Sequence, residues 1–284
     1  MQEHAAMNGS VGLSTTPSQS SQAFTPTSTP DTEADSVALR IESHPGMFAL
    51  RRFGEQLRKR PLDAAGLRLF FASTAEFFRE VPGGILALAL RLTDDWMPHA
   101  RFGAVEKGAQ ILYSAVDEFG LHQLRRGVQA SHHAFFLETA AAFGVSRAEL
   151  DDPAAITQAA REMAALTALF YRRRPVGESL GFHLASELTS DVEFTLCLEG
   201  LQAHAAHYGL TGPEDPKLGF YFIHTQVEPM HGSSSRTAAC DYLARRPDCA
   251  AEIAAGADAF MDGYGRFFAT LTDLISAPTL RKVA

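Results

Sequence analysis

From residue 39 onward the chain sets its apolar residues at spacings of three and four, the period of a helix buried on one face. Nothing constrains its fold more. Alternating runs bounded by turn signals, the mark of strands, are missing, and no repeat of fixed period is visible. "FGAVEKGAQILYSAVDEFG" (102–120) shows the helical period, and "ASHHAFFLETAAAFG" (130–144) ends on Gly144, a glycine placed to close a helix. A second turn and helix in 146–175 stop at Pro175, and a long helix is expected over 177–209. The apolar stretch 62–94 is interrupted by Pro82-Gly83-Gly84, where a kink or break is expected. The expectation is an all-α domain of about seven or eight helices spanning 39–284.

Residues 1–38 read differently. They are rich in Ser, Thr and Pro and nearly devoid of large apolar side chains. Such a segment buries too little surface to offset the entropy of ordering, so a disordered tail is expected. No Lys or Arg precedes Arg40, which argues against a secretory or transit peptide. The net charge of −8 gives no global basic field for nucleic acid or anionic lipid. No apolar run reaches the length of a membrane span. Three cysteines without a CxxC pair fit a reducing, cytoplasmic setting better than a disulfide scaffold.

The chemistry concentrates in "FIHTQVEPMHG" (222–232). On a helix His224, Glu228 and His231 fall within about 60° of one another, because each residue advances about 100°. Three metal-ligand types on one narrow stripe favour a metal site over scattered surface polarity. More ligands must come from other helices. Glu187 lies in "LGFHLASELTSDVEF" among small and apolar neighbours, so its carboxylate is expected to be buried and partnered. Glu118 ends the apolar helix "LYSAVDEFG", and His132 and His133 open the next one. Alone, Glu118 reads more readily as a helix-end surface carboxylate, and either His as a residue of a first helical turn. Bundles build paired-metal sites from inward-facing Glu and His, including Glu-x-x-His at i, i+3, and "EPMH" is such a pair. Pro229 inside it is expected to bend the helix.

With these motifs in place ("DEFG" at Glu118, "HHAFF" at His132, "LGFHLASE" at Glu187 and "HTQVEPMH" at His224, Glu228 and His231), the stretch 62–275 resembles the heme-oxygenase-like dimetal oxidases. These are relatives of the TenA thiaminase-like proteins and of the pyrroloquinoline quinone synthase. The resemblance implies a heme-oxygenase-like bundle holding two Fe(II) ions per chain, with O2 as co-substrate. The implied ligands are Glu118, His132, Glu187, His224, Glu228 and His231. It implies oxidation of an amine or amino-acid-derived small molecule, by N-oxygenation or by oxidative C–C or C–N cleavage. One iron would sit on His132 and His231 with support from Glu118. The other would use His224 and Glu228, with Glu187 bridging. Glu228 stands where the family usually has Asp, one methylene shorter. His133 and His122 are alternatives to His132, and His183, one turn before Glu187, is an extra ligand, an outer partner or a core histidine.

Two other readings stand beside this one. A metal-free TenA-like hydrolase needs a cysteine near the pocket, and Cys197 lies about 80° around the helix from Glu187. A non-catalytic helical binding protein would leave the clustered ligand types unexplained. The expected partners are a small-molecule substrate and an external electron donor; a homodimer is left open. The run "YRRRP" (171–175) reads as a solvated helix end. Phe220, Tyr221 and Phe222 read as core aromatics or as a pocket wall.

Overall fold

The computed structural model describes residues 29–121, 130–212 and 214–276. In order they form α1 (Pro30–Ser43), α2 (Pro45–Lys59), α3 (Ala64–Phe78), α4 (Val81–Trp96), α5 (Ala104–Glu118) and α6 (His132–Ala142). The one-turn α7 (Arg147–Leu150), then α8 (Gln158–Arg173), α9 (Val176–Gln202), the one-turn α10 (Ala205–Tyr208), α11 (Gly219–Arg245) and α12 (Ala250–Ser276) complete them. Among the described residues there is no strand, and the architecture is an all-α heme-oxygenase-like bundle. None of the described helices is long and apolar enough to cross a membrane.

The helix count exceeds the seven or eight expected for three local reasons. The one-turn α7 and α10 carry no periodicity to read, the stretch 62–94 breaks into α3 and α4, and α1 reaches back into the expected tail. That boundary is corrected: residues 30–38 are helical. Thr29 caps the helix by accepting from the Thr32 N–H, Pro30 opens it, and Asp31 and Glu33 sit in the first turn. Ala34, Val37 and Ile41 are buried, and Asp35 pairs with Arg236 of α11 at 2.7 Å. Residues 1–28 lie outside the described residues.

Other breaks fall where backbone chemistry puts them. Pro82 does not kink a long helix; it sits in the first turn of α4, where its missing N–H costs nothing. The long helix expected over 177–209 ends at Gln202, and the separate α10 carries the chain on to Gly209. Gly144 closes α6 as expected, with the Val145 N–H returning to the Ala140 carbonyl at 2.9 Å. α11 runs without interruption through Pro229, which is exposed. Pro229 has no N–H to give the Thr225 carbonyl.

α9, α11 and α12 form the centre. α9 packs on both of the others and on α2, and α5 packs on α4 and α11. α9 is buried on nearly every side, from Gly177 through Leu201. A helix apolar all round belongs in the middle of a domain. Polar side chains on its covered faces are therefore enclosed by protein: His183, Glu187 and Glu193 are all buried, while Asp191 and Glu199 reach solvent. Aromatic rings fill the space between the helices, with Phe53, Phe70, Phe71 and Phe268 almost fully buried and in mutual ring contact.

Candidate metal centre

Four helices deliver the donor side chains, and local sequence explains each placement. α5 stops directly after Glu118 because Gly120 adopts φ +71°, a conformation that costs glycine nothing. The Leu121 N–H then closes on the Val116 carbonyl at 2.9 Å. α6 begins at His132 because the Ser131 hydroxyl accepts from the Ala134 N–H. Glu187 sits midway along the enclosed α9. α11 supplies His224, Glu228 and His231 from one face, all buried.

The donors gather in two triads. Glu118, His132 and His224 form one, and Glu187, Glu228 and His231 the other; in each, one ligand atom per residue lies within 4.8 Å of its fellows. In the first triad Glu118 Oε1 is 3.0 Å from His132 Nδ1 and 3.6 Å from His224 Nε2. His224 Nδ1 is 2.7 Å from the Phe220 carbonyl. In the neutral ring that contact keeps the proton on Nδ1 and leaves Nε2, on the Glu118 side, as the atom able to ligate; in the charged ring Nε2–H donates to Glu118. In the second triad His231 Nδ1 is 3.7 Å from both Glu187 Oε2 and Glu228 Oε2. α11 serves both triads, so the two lie side by side. This grouping corrects the expected apportioning: His132 faces His224, not His231, and Glu118 belongs with both. Glu118 is not a surface carboxylate either; its side chain keeps 21% exposure, and it lines the cavity described below.

The remaining candidates fall elsewhere. His133 is exposed and belongs to neither triad. His122 lies outside the described residues. His183 also belongs to neither triad. It sits behind Glu187, with Nδ1 3.0 Å from the Tyr171 hydroxyl and 3.5 Å from Glu187 Oε1, and Nε2 3.1 Å from the Ser235 hydroxyl. Its ring is held by Tyr171 and Ser235 and lies against the Glu187 carboxylate. Cys197 is buried and does not line the cavity, so the cysteine that the hydrolase reading needs is not at this pocket. Arg172 pairs with Glu80 and Arg174 with Glu178, as a helix end would have them. Glu193 escaped sequence reasoning: it is buried and accepts from the Tyr264 hydroxyl at 2.9 Å.

Whether these residues fit a metal can be judged from their charges. Glu187 is held well above the ordinary carboxylate range by burial and then by the charge of Glu228. Burial lifts Glu193 to about 8 despite the Tyr264 hydrogen bond. Burial also opposes ionisation of Glu118, but hydrogen bonds and charge from His132 and His224 overcome it and hold that carboxyl very low. Glu228 Oε2 is buried with no hydrogen-bond partner. Crowded carboxylates facing imidazoles are costly without a cation and well suited to one.

A pH dependence follows. A carboxyl whose folded pKa is raised stabilises the fold below its unfolded value and loses that contribution as pH climbs through the folded value. Glu187 and Glu193 therefore weaken the metal-free protein toward pH 8, and His224, whose pKa is raised by Glu118 against the effect of burial, acts in the same direction. His183, lowered by burial to about 3, acts oppositely only below about 6.5, the ordinary histidine value. The melting temperature of metal-free protein is expected to fall by several degrees between about pH 6.5 and pH 8.5. Glu193→Gln should flatten the slope, and a flat wild-type profile would contradict these assignments.

A cavity of about 540 Å³ opens onto the donors. Phe78, Val81, Ile85, Phe136 and Phe220 wall it, and Arg79, also in its lining, is paired with Glu76 at 2.9 Å. A carboxylate- and imidazole-lined centre in a heme-oxygenase-like bundle defines a class of metal-dependent redox proteins. Residues 99–265 match the family of iron-containing redox enzymes, and the chain belongs to that family. Two crystal structures of a CADD-like protein of unknown function from Nostoc punctiforme share the fold. One has a TM-score of 0.64 at 18% identity, covering 87% of this chain and 95% of that chain. The other has a TM-score of 0.59 at 16% identity, covering 87% and 99%. No curated protein matches the sequence.

Proposed function

We propose that the protein is a non-heme diiron oxidoreductase that uses O2 to oxidise an amine or amino-acid-derived small molecule with an apolar body. The observation that carries this reading is the pair of adjacent donor triads opening on one cavity. Glu118, His132 and His224 would hold one ion, and Glu187, Glu228 and His231 the other. Iron(II) held there supplies two adjacent one-electron reductants for O2.

The chain's own residues do the rest. The Phe220 carbonyl fixes the His224 tautomer so that Nε2 presents a lone pair. His183 steadies Glu187 from behind, leaving Oε2 on the His231 side. The aromatic and aliphatic walls exclude water and accept the apolar part of a substrate, and the cavity's volume is that of a small-molecule site. Beside the apolar walls the lining carries Asp151, Ser114, Ser186 and Ser190, which would meet the amine or other polar groups of a substrate. Electrons beyond those of the substrate would come from an external donor.

Anaerobic titration of metal-free protein with Fe(II), followed by brief exposure to O2, tests the reading. Two irons bound per chain and a transient visible absorption are expected. Absence of specific binding would sink it, as would a stoichiometry of one.

A further inference from the structure

A second feature of the fold lies away from the metal centre. Leu86 and Leu90 of α4, Met97 just past its end, Phe102 of the connection, and Val105, Leu112 and Phe119 of α5 and its end are all exposed, from 37% for Leu112 to 87% for Phe102. Along α5 the outward positions Val105, Ala109, Leu112, Val116 and Phe119 repeat at four, three, four and three, all exposed but the half-buried Val116. This is the a/d spacing of a coiled-coil seam, and every position in it is apolar. The small Ala109 at its middle lets a facing helix approach closely.

The stripes on the two helices share one face. α4 and α5 are joined by a short connection and run antiparallel, meeting where a Cβ on Gly108 would lie 2.9 Å from the Ala89 carbonyl oxygen. In an antiparallel pair, stepping one residue past the contact turns both helices to the same side of their common plane. Leu90 follows Ala89 and Ala109 follows Gly108, and the remaining stripe residues keep that phase along both helices.

We infer that this α4–α5 face docks on the same face of a second copy, giving a two-fold dimer with a four-helix seam. The exposed apolar residues amount to roughly 700 Å² per copy, above the largest patch of an ordinary monomer and close to the roughly 800 Å² each partner contributes to a stable interface. A heptad-spaced face is self-complementary under a two-fold axis. The chain's own first 28 residues are a poor cover: Met1, Met7, Val11, Leu13 and Phe24 are their only large apolar residues. An anionic membrane is a poor partner too, because exposed Asp94 and Glu106 lie beside the stripe and Arg101 is the exposed cation next to it.

Light scattering on the full-length protein across a dilution series tests the dimer. Twice the chain mass is expected at micromolar concentration, reversible on dilution. Leu90→Glu with Leu112→Glu should halve the mass while leaving helicity and iron uptake unchanged, since both residues are exposed and neither is a donor. A wild-type chain that stays monomeric at about 100 µM would overturn the inference. So would a folded double variant that remains dimeric, or sedimentation of the wild type with phosphatidylglycerol vesicles in place of self-association.

Discussion

His224→Ala and Glu187→Ala are expected to yield folded protein that has lost iron binding by at least about 100-fold, since even partners that only orient a ligand are worth 10- to 100-fold. Each residue anchors a different triad, so each variant should lose the ion of its own triad and hold at most one iron per chain. The effect on stability should have the opposite sign. Glu187 and Glu228 are buried beside one another, and burial with mutual repulsion holds Glu187 far above the usual range. Glu187→Gln keeps the volume and removes the charge, so without metal its melting temperature should equal or exceed that of wild type at pH 8. Iron content by metal analysis, together with calorimetry of metal-free protein, reads both quantities. A non-catalytic helical binding protein would show the reverse: no iron to lose, and stability lowered. Iron retained at wild-type level in both alanine variants would refute the ligand assignment.

How much of this was legible beforehand depended on how local each signal is. The α11 stripe could be read because three donors share one helix, and helical periodicity alone brings them together. Glu187 could be read from its neighbours, because a carboxylate among small and apolar residues has nowhere to go but inward. The division into triads could not be read. It depends on how α5, α6 and α11 cross, and no spacing within one helix encodes that. Glu118 and His132 are joined through a segment outside the described residues, so their approach to 3.0 Å is a purely tertiary fact. Glu193 was missed because it lies six positions past Glu187 on a different side of α9. The signal available was Glu193's own neighbourhood, Phe194 and Cys197 beside it on an otherwise covered face, whereas Asp191 and Glu199 of the same helix reach solvent. α1 was missed for a different reason. A capping threonine, a first-turn proline and the Ala34, Val37, Ile41 period were all present, but the Ser/Thr/Pro composition around them dominated the reading.

Gly181→Ala and Gly256→Ala should be among the most damaging single-methyl changes the protein can suffer. Both glycines lie where α9 and α12 cross, and the contact is reciprocal. A Cβ on Gly181 would fall on the Ile253 carbonyl oxygen and one on Gly256 on the Glu178 carbonyl oxygen, in each case under the 3.0 Å that real Cβ atoms keep. The obstacle is helix backbone, which has no rotamer with which to yield, so the two helices must separate. Helix propensity alone predicts the opposite sign, because alanine is favoured over glycine by about 1 kcal/mol in a helix. The expected loss is about 3 kcal/mol or more, the upper range of overpacking. Gly219→Ala is the control: nothing lies within 4 Å of its Cβ, and its backbone is right-handed helical, so it should be neutral or mildly stabilising. Urea midpoints of the three metal-free variants at one pH decide the matter, and a Gly181→Ala midpoint at or above wild type would show that α9 and α12 do not approach so closely. The same separation bears on the centre. α9 carries Glu187, and its Glu193 is tied to Tyr264 of α12 at 2.9 Å, so prising the helices apart displaces the very helix that presents a ligand. Whatever fraction of Gly181→Ala folds should therefore also bind iron more weakly than wild type.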